Sequence, residues 1–249
     1  MTDNILKRLK QIEQERSITI LFSSESGSRG WGFPSTDSDY DVRFIYVRSL
    51  DWYLSLGDKK DQIDLAISDE LDLKGWELRK ALRLMKRTNV SVYEWLQSPI
   101  TYRNEQNFKA ELLALTSDYY SPKTAFYHYH SMTQKYIGNY LNETTNLKKL
   151  FYILRGLFSC KWLVKQQSLP SMELQPLLVN CENAAVEKII QELIALKATK
   201  KEEDHAPTPA ILIQYIQTEF DQLKAKANDI KSVKNTYDLL NDFFIKRIK

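Results

Sequence analysis

The chain has 249 residues, enough for one large domain or two modest ones built round a real core. Hydrophobic residues at 43% and charged residues at 27% describe an ordinary soluble globular protein, and a net charge of +3 tolerates nucleic acid or phosphate ligands without arguing for them. The opening "MTDNILKRLKQIEQERS" is charged and lacks an apolar signal core, and no window approaches the ~18 apolar residues of a membrane helix. The expectation is a soluble, cytoplasmic protein with no membrane partner. The two cysteines, Cys160 and Cys181, lack metal-ligand spacing and read as reduced thiols.

Ile5, Leu9 and Ile12 recur at helical spacing and predict a helix over 5–16. "ITILF", 18–22, is short, β-branched and apolar, and reads as a buried strand. The stretch "SSESGSRGWGFPSTDSD" is dense in turn residues, with a short helix expected from Ser28 to before Pro34. "YDVRFIYV", 40–47, is the second strand. "QIDLAI" and "LDL", separated by "SDE", read as a hairpin. From Trp76 to Thr88 an apolar stripe faces a basic one of Arg79, Lys80, Arg83, Lys86 and Arg87. That basic face reads first as solvated, with RNA phosphates as the functional alternative.

After Pro99 the strand signals fade. Helices are predicted over 104–118, 123–142, 146–167, 182–199, 210–228 and 232–248, with "ATKKEEDHAPTPA", 198–210, as a linker. The predicted fold class is α+β: a small mixed sheet with flanking helices over 1–115, then an all-helical domain over 116–249.

The chemistry concentrates in "ESGSRGWGFPSTDSDYDVRF". Residues i and i+2 of a strand share a face, so Asp39 and Asp41 project together from the start of strand 40–47. Two carboxylates so placed repel unless a cation lies between them. Oxygen-only ligands suit Mg²⁺ or Mn²⁺, which also bind phosphate oxygens. Gly27-Ser28 lets a phosphate approach the backbone, and a following helix aims N–H groups at it. Asp37 reads as a turn or cap residue, and Glu25 either approaches the site or shapes the loop through a hydrogen bond. Arg29 and Arg43 are candidates for contacting a triphosphate or acceptor. Arg43 shares the strand parity of the two aspartates, so an ion pair with them is the competing reading.

Gly-Ser, about ten residues, then Asp-x-Asp on an apolar strand resembles the DNA polymerase β-like nucleotidyltransferase superfamily. "ESGSRGWGFPSTDSDYDVRFIYV", "LDLKGWELRKALRL", "YEWLQSPITY" and "LKKLFYILRGLFSCKWL" together resemble, more narrowly, the RlaP or YcgL-type predicted nucleotidyltransferases, which are linked by name to RNA repair. These segments spread over roughly residues 18–180. The resemblance implies a polymerase β-like nucleotidyltransferase domain and a third carboxylate on a later strand. Asp72 in "LDL" is favoured over Asp64 in "IDL", because it lies in a family-like segment. By the same resemblance Lys149 and Arg155, on the helix over 146–167, would hold the triphosphate; a solvated helix face is the alternative.

The implied function is transfer of a nucleoside monophosphate from an NTP to an acceptor hydroxyl, such as an RNA end, with release of pyrophosphate. Gly27 and Ser28 would hold phosphates, and Asp39, Asp41 and Asp72 would bind two Mg²⁺ ions. The alternatives are nucleotidylation of a small molecule or protein, and a nucleotide- or RNA-binding module without catalysis. His128 and His130 lie ~200° apart on a helix, so they read as core or surface residues and not as metal ligands.

Overall fold

The computed structural model describes every residue except Asp69 and Lys234. Asp69 belongs to the expected hairpin turn and Lys234 to the expected last helix, and both lie outside the described residues. The chain forms two compact units. The first comprises Met1–Gly30, Asp39–Tyr120 and Lys234–Lys249; the second comprises Trp31–Ser38 and Ser121–Val233.

The first unit opens with α1 (Thr2–Arg16), which buries the Ile5, Leu9 and Ile12 stripe. It stops at Ser17, whose left-handed φ of 52° turns its N–H back to the Glu13 carbonyl. β1 (Thr19–Glu25), the one-turn helix α2 (Gly27–Gly30) and β2 (Tyr40–Val47) follow. Then come α3 (Leu50–Leu54), β3 (Gln62–Asp64), β4 (Leu71–Glu77), α4 (Leu78–Lys86), α5 (Val90–Gln97) and β5 (Thr101–Asn104). The five strands form one mixed sheet in the order β3-β4-β2-β1-β5. β2 runs antiparallel to β1 and parallel to β4, and β3 closes on β4 as the expected hairpin.

Strand alternation divides the sheet into two faces. Val42, Phe44 and Tyr46 of β2 and Leu71 and Leu73 of β4 turn into the core with the α1 stripe. Asp41 and Arg43, and Asp72 and Lys74, therefore fall on the opposite face. Gly75 is the register partner of Phe44, and a Cβ there would lie 2.1 Å from the Phe44 ring, so the strand needs glycine at that point. Trp76 stacks on Trp95 of α5 at 3.9 Å and holds the helical layer on the face that carries the carboxylates.

β5 falls where strand signals were expected to fade. It is a short, polar edge strand on β1, and such a strand leaves no apolar alternation to read. The expected helix over 104–118 is shorter and broken into a 3₁₀ turn, α6 (Phe108–Ala114) and α7 (Thr116–Tyr119).

The second unit carries α8 (Pro122–Tyr140), β6 (Thr144–Asn146), α9 (Leu147–Gln166), α10 (Leu174–Leu177), α11 (Ala184–Lys197), β7 (His205–Pro207) and α12 (Ala210–Lys226). α9 is its axis, with Leu150, Phe151, Leu154, Leu157 and Phe158 all buried. α8 approaches it closely where a Cβ on Gly156 would lie 2.0 Å from Thr133 Oγ1. This part is mostly, not wholly, helical. β6 and β7 pair antiparallel, so residues 198–210 are not a linker: Ala206 is buried and Leu147 N–H donates to the Asp204 carbonyl at 3.1 Å.

The last helix, α13 (Asp238–Ile248), starts later than expected. It groups with the first unit because Phe243 meets Phe108 at 5.4 Å and Arg247 pairs with Glu111 at 3.0 Å. No helix among the described residues is long and apolar enough to cross a membrane.

Candidate active site

Parallel pairing of β2 with β4 sets Asp41 directly opposite Asp72. Asp72 is 6% exposed, against a half-buried Asp41. Asp64, the competing candidate, sits on edge strand β3 opposite Lys74, is exposed, and accepts from Gln62 Nε2 at 2.9 Å. Asp39 lies one residue before β2, half-buried, without a hydrogen-bond partner among the described residues. Among those residues no three His, Cys, Asp or Glu side chains converge closely enough to hold an ion as they stand.

Arg43 occupies the space between the two facing carboxylates. Its Nη2 donates to Asp41 Oδ1 at 2.6 Å and to Asp72 Oδ2 at 2.8 Å, while Nη1 donates to the Asp72 carbonyl at 2.8 Å. Lys74 Nζ adds a contact of 3.1 Å to Asp72 Oδ2. Burial pushes the Asp72 carboxyl up, but the hydrogen bonds and charges of Arg43 and Lys74 outweigh it and hold Asp72 below its ordinary range. Sequence parity pointed to Arg43. Lys74 was not singled out, although its i+2 spacing from Asp72 carried the same signal.

Gly27 explains why a Gly-Ser turn precedes the acidic strand. Its φ is +56°, and a Cβ there would lie 1.8 Å from Asp41 Oδ2. The glycine lets α2 close over the Asp41 carboxylate, and Ser26 N–H donates to the Asp41 carbonyl at 2.8 Å. Ser28 is buried at 5% exposure, and the Arg29 guanidinium lies 3.9 Å over the Tyr40 ring.

Glu25 at the end of β1 is fully buried and supports this arrangement. Its Oε1 accepts the Asp41 N–H at 2.7 Å, and its Oε2 accepts the Tyr102 hydroxyl. Burial raises the Glu25 carboxyl, against the opposing pull of these two hydrogen bonds. Tyr102, on the unforeseen β5, escaped the sequence reading with its strand.

The other sequence candidates make their contacts in the second unit. Arg155 is 3% exposed, donates through Nε to the Met172 carbonyl at 3.0 Å and lies 4.5 Å over Trp31. Lys149 Nζ stands 5.3 to 5.8 Å from the rings of Tyr136, Tyr140 and Tyr152. Asp37 does not cap its own turn: its Oδ1 accepts the Glu202 N–H at 2.8 Å, and Ser38 Oγ takes the Ser35 N–H instead. His130 is buried against Phe220 at 4.4 Å, as a core histidine.

Residues 1–246 match the family described as RlaP, the RNA repair pathway DNA polymerase beta family. The chain belongs to the RlaP family. The match runs beyond residues 18–180 and takes in the C-terminal helices. The uncharacterized protein YcgL of Bacillus subtilis (strain 168) is 38% identical over 238 residues, covering 94% of this chain and 91% of that protein. A nucleotidyltransferase-like protein from Exiguobacterium sibiricum 255-15 aligns at a TM-score of 0.33 and 10% identity, covering 90% of this chain and 74% of its own.

The RlaP family implies a divalent cation, and the donor chemistry here fits one. Asp72 Oδ1 is buried with no hydrogen-bond partner among the described residues, which leaves lone pairs for a further ligand. The facing Asp41 offers the same oxygen chemistry, which suits a hard cation, although the side chains as they stand do not converge on one point.

Proposed function

We propose that this chain transfers a nucleoside monophosphate from an NTP to an acceptor hydroxyl, with an RNA end as the acceptor. The observation that carries this reading is the register that faces Asp41 with Asp72 while Gly27 closes over Asp41. The family's description links it to RNA repair.

In the proposed reaction the acceptor oxygen forms a bond to the α-phosphorus. The bond from that phosphorus to the β-phosphate bridging oxygen breaks, and pyrophosphate leaves with the electron pair. The backbone at Gly27 and Ser28 receives phosphate oxygens, with the Arg29 guanidinium beside them countering their charge. Asp39, Asp41 and Asp72 would hold Mg²⁺ or Mn²⁺. When bound, the cation supplies charge neutralisation at the triphosphate and a lowered pKa at the attacking hydroxyl. Arg43 keeps the two facing carboxylates aligned. Asp72, kept ionised by Arg43 and Lys74, accepts a hydrogen bond from the hydroxyl. Its lowered proton affinity makes it a weak general base, so the proton passes on to water.

The test is incubation with each α-labelled NTP, Mg²⁺ and separate pools of RNA, protein and metabolites. Asp39→Ala and Asp41→Ala serve as controls. Label on RNA that both variants abolish is the expected result. Label on protein or metabolites moves the acceptor, and undiminished transfer by both variants overturns the assignment.

A further inference from the structure

At the C-terminal end of β2, away from the facing aspartates, two cavities adjoin. The larger, of about 670 Å³, is lined by Arg16, Arg48, Lys60 and Lys80, with Asp61 and Asp64. The smaller, of about 270 Å³, shares Asp61 and Lys80 and adds Lys59, Arg79, Arg83 and the rings of Trp52 and Tyr53. Glu77, on the smaller cavity, is the residue of β4 nearest this end. Glu77 stands five positions along β4 from Asp72, ~17 Å away, while Asp64, opposite Lys74, brings the near edge of the larger cavity closer to the carboxylates.

The balance of charge is positive. Seven cationic side chains face four carboxylates, an excess of three that equals the net charge of the whole chain. Three of the four carboxylates are committed, and the fourth, Asp58 on the smaller cavity, is exposed. Glu77 caps the N–H groups of Arg79 and Lys80, Asp61 pairs with Lys80 at 2.9 Å, and Asp64 accepts from Gln62. Arg16, Lys59, Lys60 and Arg83 are exposed and have no carboxylate partner among the described residues. The Arg48 Nε is buried and has no acceptor among those residues.

The cations do not converge on one point, as a single phosphate would require. They extend from the end of α1 across β2 and β3 to the outer face of α4. Aromatic rings interleave with them: the Arg48 guanidinium lies 5.4 Å from the Trp52 ring, and Trp52 meets Tyr53 edge-on at 5.1 Å. Spread positive charge beside aromatic faces suits a strand with a repeating phosphate and stackable bases.

The geometry points to these joined cavities as a binding site for the backbone of single-stranded nucleic acid, separate from the carboxylate site. This site stands independently of the proposed transfer reaction.

The experiment is fluorescence anisotropy with a labelled single-stranded RNA oligomer across a salt series. It compares the wild type with the Arg16→Ala/Lys60→Ala/Arg83→Ala variant and with Lys188→Ala, which removes an exposed cation of the second unit. All three substituted cations are exposed, and a thermal melt checks that the variant is folded. The triple variant should bind at least about tenfold more weakly, with the slope of log K against log salt reduced by about 2, and Lys188→Ala should bind as the wild type does. Binding by the triple variant at wild-type strength, or competition by inorganic phosphate as effective as by unlabelled RNA, overturns the site. Absence of nucleotide transfer by the wild type, with RNA binding and its loss intact, would defeat the catalytic reading and leave this one standing.

Discussion

Arg43 grips Asp72 twice, with Nη2 on its carboxylate and Nη1 on its backbone carbonyl, each at 2.8 Å. The same Nη2 reaches Asp41, so one guanidinium separates two carboxylates that the register forces together. Arg43→Gln should therefore lower stability by about 2 kcal/mol, measured by urea denaturation. Mn²⁺ should raise the variant's midpoint more than the wild type's, because an ion then supplies the missing counter-charge.

The two candidates for a third carboxylate differ in environment. Asp72 is almost buried beside Asp41, whereas Asp64 lies exposed on the edge strand. In the labelled-NTP assay Asp72→Asn should reduce transfer by about 10²-fold or more, with Asp64→Asn within about twofold of wild type. The reverse order would transfer the role to Asp64.

Glu25 accepts from two donors that face it from different strands. An amide retains one acceptor oxygen and turns an N–H₂ toward the other donor. Glu25→Gln should cost about 1–3 kcal/mol in denaturant unfolding, more than Tyr102→Phe, which removes a donor and creates no clash.

His130 gives the second unit a pH dependence. Burial first, then the charge of Lys224, lowers its pKa from the ordinary 6.5. Between the lowered value and 6.5 the folded chain binds fewer protons than the unfolded one, so stability falls as pH falls through that window. Melting temperatures recorded across this range should show the decline, and His130→Phe should flatten it.

The aspartate pair, the glycine-serine turn and the shared parity of Arg43 were legible because strand alternation and turn chemistry are local. The facing of Asp41 with Asp72 was not, since parallel pairing joins strands with no short turn between them. Residues 31–38 lie in a stretch read as loop or turn from its Ser, Gly, Pro and Asp content, with a short helix expected to end before Pro34. In fact Phe33 stacks on Phe151 at 4.8 Å, and Thr36 N–H donates to the Lys200 carbonyl at 3.0 Å. The same contacts explain the misread linker: charge and proline describe its surface, but Asp37 secures its backbone at Glu202. Lys149 and Arg155 were singled out by resemblance and charge, neither of which reveals the aromatic rings beside both.

Gly27 cannot gain a side chain while Asp41 keeps its own. A methyl group on Gly27 would overlap the Asp41 carboxylate, so volume gained at position 27 must be surrendered at position 41. A selection for alanine at 27 should recover second-site changes that shorten residue 41, and these would relieve the overlap at the expense of the acid while the left-handed φ of 56° still strains the alanine. The dependence runs one way: the acid can be lost with the glycine in place, but the glycine cannot be lost while the acid remains.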